Sequence, residues 1–174
     1  MILGEEIGGN SYLCTDMEKD HKYFMREALK EARQNMESNH GGPFGAIVVK
    51  DGKIIARGAN HVLDTNDPTN HAEIVAIREA CRVLNTYQLT GCTIYSSCEP
   101  CPMCLGAIYW SRADRIYFAA TREDAAIAGF DDKHIYDEYH REIKNRQIPA
   151  VQLLHEEAQL IFKRWIELDN GITY

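Results

Sequence analysis

Between Asp16 and Glu37 the apolar residues Met25, Ala28, Leu29, Ala32 and Met36 recur at the spacing of one helical face, with charges between them. That period predicts an amphipathic helix covering a sheet. Asn39-His40-Gly41-Gly42-Pro43 breaks it. Two short β-rich runs follow, Ala46 to Val49 and Ile54 to Arg57, joined through Asp51-Gly52, a strong hairpin signal. Asn60 to Asn70 is polar and loop-like. Asp67-Pro68-Thr69 then leads into a second helix with Ile74, Ile77, Cys81 and Leu84 on its inner face.

Further along, Thr93 to Ser96 reads as a buried central strand, Pro102 to Trp110 as a helix with proline in its first turn, and Arg115 to Ala119 as a fourth strand. Pro149 to Leu154 is expected to be a fifth. A last helix carries Ala158, Ile161, Phe162, Trp165 and Leu168 on one face and stops at Asn170-Gly171. Strands alternating with helices predict an α/β protein, a three-layer α/β/α sandwich around a mixed five-stranded sheet. Met1 to about Thr15 is Gly-rich and aperiodic. Residues 1–19 are therefore expected to form an N-terminal extension, and 20–174 a single domain.

Two stretches bring chemistry to this frame: His71-Ala72-Glu73, and Cys98-Glu99-Pro100-Cys101-Pro102-Met103-Cys104. One imidazole and two thiolates two residues apart, His71, Cys101 and Cys104, make three ligands for Zn²⁺. A catalytic zinc site leaves its fourth tetrahedral corner to water. Such a water loses its proton near neutral pH instead of at ~15.7. Glu73, close by and not needed as a ligand, is placed to carry that proton, and burial raises a carboxyl toward the working pH. H-x-E followed by P-C-x-x-C is the signature of zinc nucleobase deaminases.

Other readings stand beside this one. C-x-x-C also serves redox and structural zinc sites. Cys98, Cys101 and Cys104 could begin an iron–sulfur run, but that pattern asks for Cys-Pro four residues on, where Ile108-Tyr109 stands. Cys98 could also close a purely structural zinc site. His21, His40, His61, His134, His140 and His155 lack a comparable setting and read as surface or core histidines. Phe44 reads by default as core, and Asp131-Asp132 as a solvated turn.

The charge balance narrows the partners. Nineteen basic against 26 acidic residues give a net charge of −7, a poor surface for a phosphate backbone, so no nucleic acid is expected. Six cysteines, three of them clustered, suggest metal in a reducing cytoplasm more than a disulfide framework. Met1 to Asn10 has no basic cluster and no apolar run approaches ~18 residues, so neither a signal peptide nor a membrane span is expected.

From Gly41 to Arg112 the chain resembles the cytidine-deaminase-like superfamily, and within it the small zinc-dependent guanine deaminases. The narrower match rests on Gly41-Gly42-Pro43-Phe44-Gly45-Ala46, Asn66-Asp67-Pro68-Thr69, the two zinc-site stretches, Ala128-Gly129-Phe130-Asp131-Asp132 and the terminal Tyr174. The resemblance implies one zinc per chain and hydrolysis of guanine, a free purine base, to xanthine and ammonia. It implies that Asn60 hydrogen-bonds the purine, that Phe44, Ala72 and Trp110 line its pocket, and that Asp132 is a second catalytic carboxylate. It also implies a domain-swapped homodimer in which Tyr174 completes the other subunit's pocket.

Overall fold

The computed structural model describes the backbone of residues 11–168 and the side chains from residue 20 to 168. The helix end expected at Asn170-Gly171 and the terminal Tyr174 lie outside these residues. The first helix, α1, spans Ser11–Glu37. It starts ahead of the expected Asp16 because no glycine or proline interrupts the chain between Ser11 and Glu37.

Strands β1 (Gly45–Lys50) and β2 (Lys53–Ala59) form the antiparallel hairpin expected from Asp51-Gly52. Both turn residues have positive φ, 48° and 70°, as a two-residue type I′ turn requires. A short helix α2 (Val62–Thr65) interrupts the polar loop, and α3 (Ala72–Leu84) follows. Then come β3 (Cys92–Cys98), α4 (Pro102–Trp110) and β4 (Arg115–Ala120). The strand order is β2-β1-β3-β4, with β1 antiparallel to both neighbours and β3 parallel to β4. The sheet is therefore mixed, with helices on both faces.

Alternation along the strands decides which side chain meets which layer. Ile47, Val49 and Tyr95 face Phe24 and Ala28 of α1. Ala46, Val48 and Ile94 point the other way, to Ala72, Ala76, Ile77 and Ala80 of α3 and Ile108 of α4. Ile47 and Ile94 are fully buried, and burying each such side chain is worth about 1.5–3 kcal/mol. Ala72, Ala76 and Ala80 share one face of α3, so this helix lies close to the sheet. Gly58 on β2 completes that fit: a Cβ there would sit 2.3 Å from the Ala72 carbonyl oxygen and 2.6 Å from the Ala76 nitrogen.

Beyond β4 the chain changes character. Helices α5 (Arg122–Ile127), α6 (Lys133–Tyr139) and α7 (His155–Glu167) have no buried residues. The sheet has four strands, not the expected five. Residues 149–154 are exposed and pair with no strand. Their composition suits a strand, but strand identity depends on a neighbouring edge, and this run reaches none in its own chain.

Candidate active site

Three local structures converge at one end of the sheet. The loop before α3 is folded by Asp67, whose Oδ1 accepts from the Thr69 amide at 2.8 Å and the Thr69 hydroxyl at 2.7 Å. This turn delivers His71 as the N-cap of α3, in extended conformation, with its side chain not spent on capping. Strand β3 ends at Cys98, and Cys101 is the N-cap of α4, with Pro102 in the first turn. Two helix N-termini, with unpaired amides and positive dipole ends, thus meet at the same place.

His71 Nδ1 lies 3.6 Å from Cys101 Sγ and 3.5 Å from Cys104 Sγ. Tetrahedral zinc, with Zn–N of about 2.0–2.1 Å and Zn–S of about 2.3 Å, needs an N–S separation of about 3.6 Å. The donor set therefore fits zinc in both chemistry and spacing, and among the described residues these three form a group able to hold a metal ion. Among the side chains alone, Cys101 is drawn down to about 4, first by its hydrogen bond with Cys104 and then by that with His71. Cys104 is pushed up by the same bond and by burial. His71 is raised, chiefly by its bond to Cys101.

Cys98 does not close the fourth corner. Its thiol donates to the Thr121 carbonyl at 3.5 Å, and burial pushes it up to about 11. The structural-zinc alternative thereby loses its fourth ligand.

Glu73, in the first turn of α3, is 6% exposed. Its Oε1 accepts from the Ser96 hydroxyl at 3.0 Å, and its Oε2 accepts from the Cys104 thiol at 3.4 Å. Desolvation raises this carboxyl above its ordinary range. That is what a group must have if it is to take and return a proton near neutral pH.

Above these residues opens a cavity of about 640 Å³, walled by Gly41 to Phe44, Asn60, Val62 and Leu63, His71, Glu73, and a stretch from Gly129 to Asp132. Its size suits a small molecule. Phe44 is half-buried and meets Phe130 edge to face at 4.9 Å. Asn60 is buried, its carbonyl accepting from Asn35 Nδ2 at 2.9 Å and its Oδ1 from the Val62 amide at 3.3 Å.

The acidic pair divides its work. Asp131 Oδ1 accepts from the Lys133 amide at 2.8 Å and so serves the turn. Asp132, the N-cap of α6, makes no capping bond with its side chain, lines the cavity, and is raised by desolvation and by the Cys101 thiolate.

The other expected site residues fall differently. Ala72 is fully buried in the core and is not among the residues lining the cavity. Trp110 ends α4 at 61% exposure, outside the cavity lining, with the Arg112 guanidinium 5.9 Å from its ring centroid. Two functional residues escaped the sequence reading. Ser96 orients Glu73, and its signal was a hydroxyl on the strand face otherwise occupied by Ile94. Asn35 donates to both the Gly42 and Asn60 carbonyls, at 3.0 and 2.9 Å, tying two walls of the cavity together; its signal was a buried amide near the end of a helix.

A mixed α/β sheet carrying a His/Cys/Cys donor set beside a buried glutamate defines a zinc-dependent hydrolytic deaminase. The chain belongs to the family of the cytidine and deoxycytidylate deaminase zinc-binding region, whose model matches residues 18–120. It is 49% identical over 155 residues to a guanine deaminase of Bacillus subtilis, spanning 89% of this chain and 99% of that protein. The crystal structure of a guanine deaminase from that organism superposes with a TM-score of 0.86 over 88% of this chain and 98% of the other. A tRNA-specific adenosine deaminase of Aquifex aeolicus is 48% identical over 155 residues, 87% of this chain and 97% of that protein. A guanine deaminase structure from Nitrosomonas europaea is 31% identical, with a TM-score of 0.61 over 76% of this chain and 79% of the other.

No helix among the described residues is long and apolar enough to cross a membrane.

Proposed function

We propose that this chain hydrolyses guanine to xanthine and ammonia, a step of purine catabolism or salvage in the cytoplasm. The observation that carries the reading is a pair of carboxyls, both raised by burial, that meet one aromatic-walled cavity from different elements: Glu73 from α3 and Asp132 from the loop before α6. Phe44 and Phe130 offer a wall for a flat ring, and Asn60 a polar edge for it. The resemblance to guanine deaminases over nearly the whole chain supports the choice of base.

His71, Cys101 and Cys104 would hold the zinc, which when bound supplies Lewis acidity and lowers the pKa of water. Glu73, steadied by Ser96, takes a proton from the attacking water and returns it to a ring nitrogen. The new C–O bond forms at carbon 2 of guanine. Asp132 protonates the exocyclic amino group, which leaves badly otherwise; ammonia departs as the C–N bond breaks, and the hydroxyl proton passes to Asp132 as the carbonyl of xanthine forms.

A single chain exposes an apolar surface: Ile161, Phe162 and Ile166 on α7, Tyr109 on α4, and Phe118 on β4. A homodimer that exchanges its C-terminal segments would cover it. Residues 149–154 then have an edge to join, since β4 ends the sheet, and Tyr174 reaches the other copy's cavity. Co-expressing a Glu73→Gln chain with a Tyr174→Ala chain tests the exchange. Activity in the mixed dimer above that of either parent supports it, and no recovery removes it.

The charge of −7 disfavours tRNA as substrate, although the Aquifex relative keeps that reading in the test. Ammonia release is measured with guanine, guanosine, adenine, cytosine, ammeline and a tRNA anticodon stem-loop. Release from guanine above all others is expected; preference for the stem-loop would replace this reading.

A further inference from the structure

Asp132 sits on a loop that must hold a carboxylate in place without the support of a buried helix. Two residues before it, Phe130 rests against Phe44. Four residues after it, Tyr136 donates its phenol to the Pro100 carbonyl at 3.2 Å. Pro100 immediately precedes the metal-ligating Cys101, so this bond joins the helix that Asp132 caps to the turn that holds the metal.

Residues 132 and 136 are one turn apart and share a face of α6. Arg122 lies over the Tyr136 ring, its Cζ 5.0 Å from the centroid, and the Arg122 amide donates to Glu99 Oε2 at 3.3 Å. The Glu99 amide in turn donates to the Ala120 carbonyl at 2.8 Å, so the receiving segment is itself anchored to the end of β4. Other hydrogen bonds of α6 stay local: Lys133 Nζ donates to Asp137 at 2.6 Å and the Gln147 amide to Glu138 at 2.6 Å.

We propose that Tyr136 is a positioning residue for the deamination: its bond to Pro100 fixes the reach of Asp132 toward the metal-bearing turn, with Phe130 on Phe44 as the second pin. This rests on the reading of Asp132 as the second catalytic carboxylate. Tyr136 stands outside the cavity lining and acts through Asp132 alone. The ring is half-buried beneath Arg122, so Tyr136→Phe is expected to keep its packing.

The test is a double-mutant cycle on guanine turnover with Tyr136→Phe, Asp132→Ala and the pair. Tyr136→Phe is expected to lower kcat about tenfold, the size of one lost hydrogen bond to a well-placed acceptor, with KM and zinc content unchanged. In the Asp132→Ala background the same change should do nothing further. An equal tenfold loss in both backgrounds, or no loss in either, overturns the proposal.

Hydrogen exchange of the zinc-loaded protein without substrate gives a second arm. Tyr136→Phe should speed exchange of the amides from 130 to 139 and leave those from 101 to 110 unchanged. If guanine is not the substrate, or Asp132→Ala retains full turnover, the underlying reading fails on its own. The exchange arm then still decides whether Tyr136 pins the loop, and unchanged exchange there removes it.

Discussion

Ile94 on β3 and Ile161 on α7 are the same side chain in opposite circumstances: the first is fully buried, the second 72% exposed. The contrast holds for their whole regions. From α1 to β4 apolar positions alternate into two closed cores, and every metal-ligating atom hangs from an element packed on the sheet. From α5 to α7 apolar residues face outward, and Asp132 is held by a few named contacts. The first region makes a metal centre whose geometry is set by the fold. The second contributes a carboxylate whose position depends on local ties.

That difference can be broken at several points. Glu73→Gln strikes the packed region and should reduce turnover to background while atomic absorption still finds about one zinc per chain. Zinc loss in that variant would mean that Glu73 builds the centre instead of working in it. Asp132→Ala strikes the arm, and turnover should fall ~10²–10⁴-fold, as for a missing general acid, with the melting temperature unchanged. A negligible loss would reduce Asp132 to a loop residue.

Smaller effects sharpen the contrast. Ile161→Asp combined with Phe162→Asp adds charge to the exposed face of α7. By light scattering the protein should become monomeric, with zinc content retained, because the packed region does not depend on α7. Unaltered mass would show that this face meets no second copy. In the packed region, burial pushes the Tyr95 phenol up to about 12 from an ordinary value of 10. The folded chain then keeps a proton that the unfolded chain releases, so this contribution is intact below pH 10 and is lost as pH rises toward 12. Urea unfolding across that window should show the decline, and Tyr95→Phe should flatten it.

The legibility of the sequence follows the same line. His71, Glu73, Cys101 and Cys104 were readable because each pair is local, set at a helix start by two or three residues of chain. The hairpin at Asp51-Gly52 and α4 from Pro102 were readable for the same reason. Ser96 was not, since its meeting with Glu73 is made by the sheet and not by spacing. Spacing alone did not separate Asp131 from Asp132, which only the family resemblance singled out, because the backbone of the turn decides which carboxylate accepts from the Lys133 amide. The fifth strand failed for a further reason: residues 149–154 have the right composition, but an extended run becomes a strand only beside an edge.

Gly58 bears on how this scaffold tolerates redesign. Any β-carbon on that residue would lift the start of α3, and His71 and Glu73 would move as one body, so metal affinity and proton transfer would degrade in step. Much of the cavity wall proposed to meet the base lies elsewhere, at Phe44, Asn60, Val62 and Leu63. An engineer seeking a new substrate could therefore vary Asn60, Val62 and Leu63 while leaving β2 and the Asp132 loop untouched, and keep the reactive centre through the search.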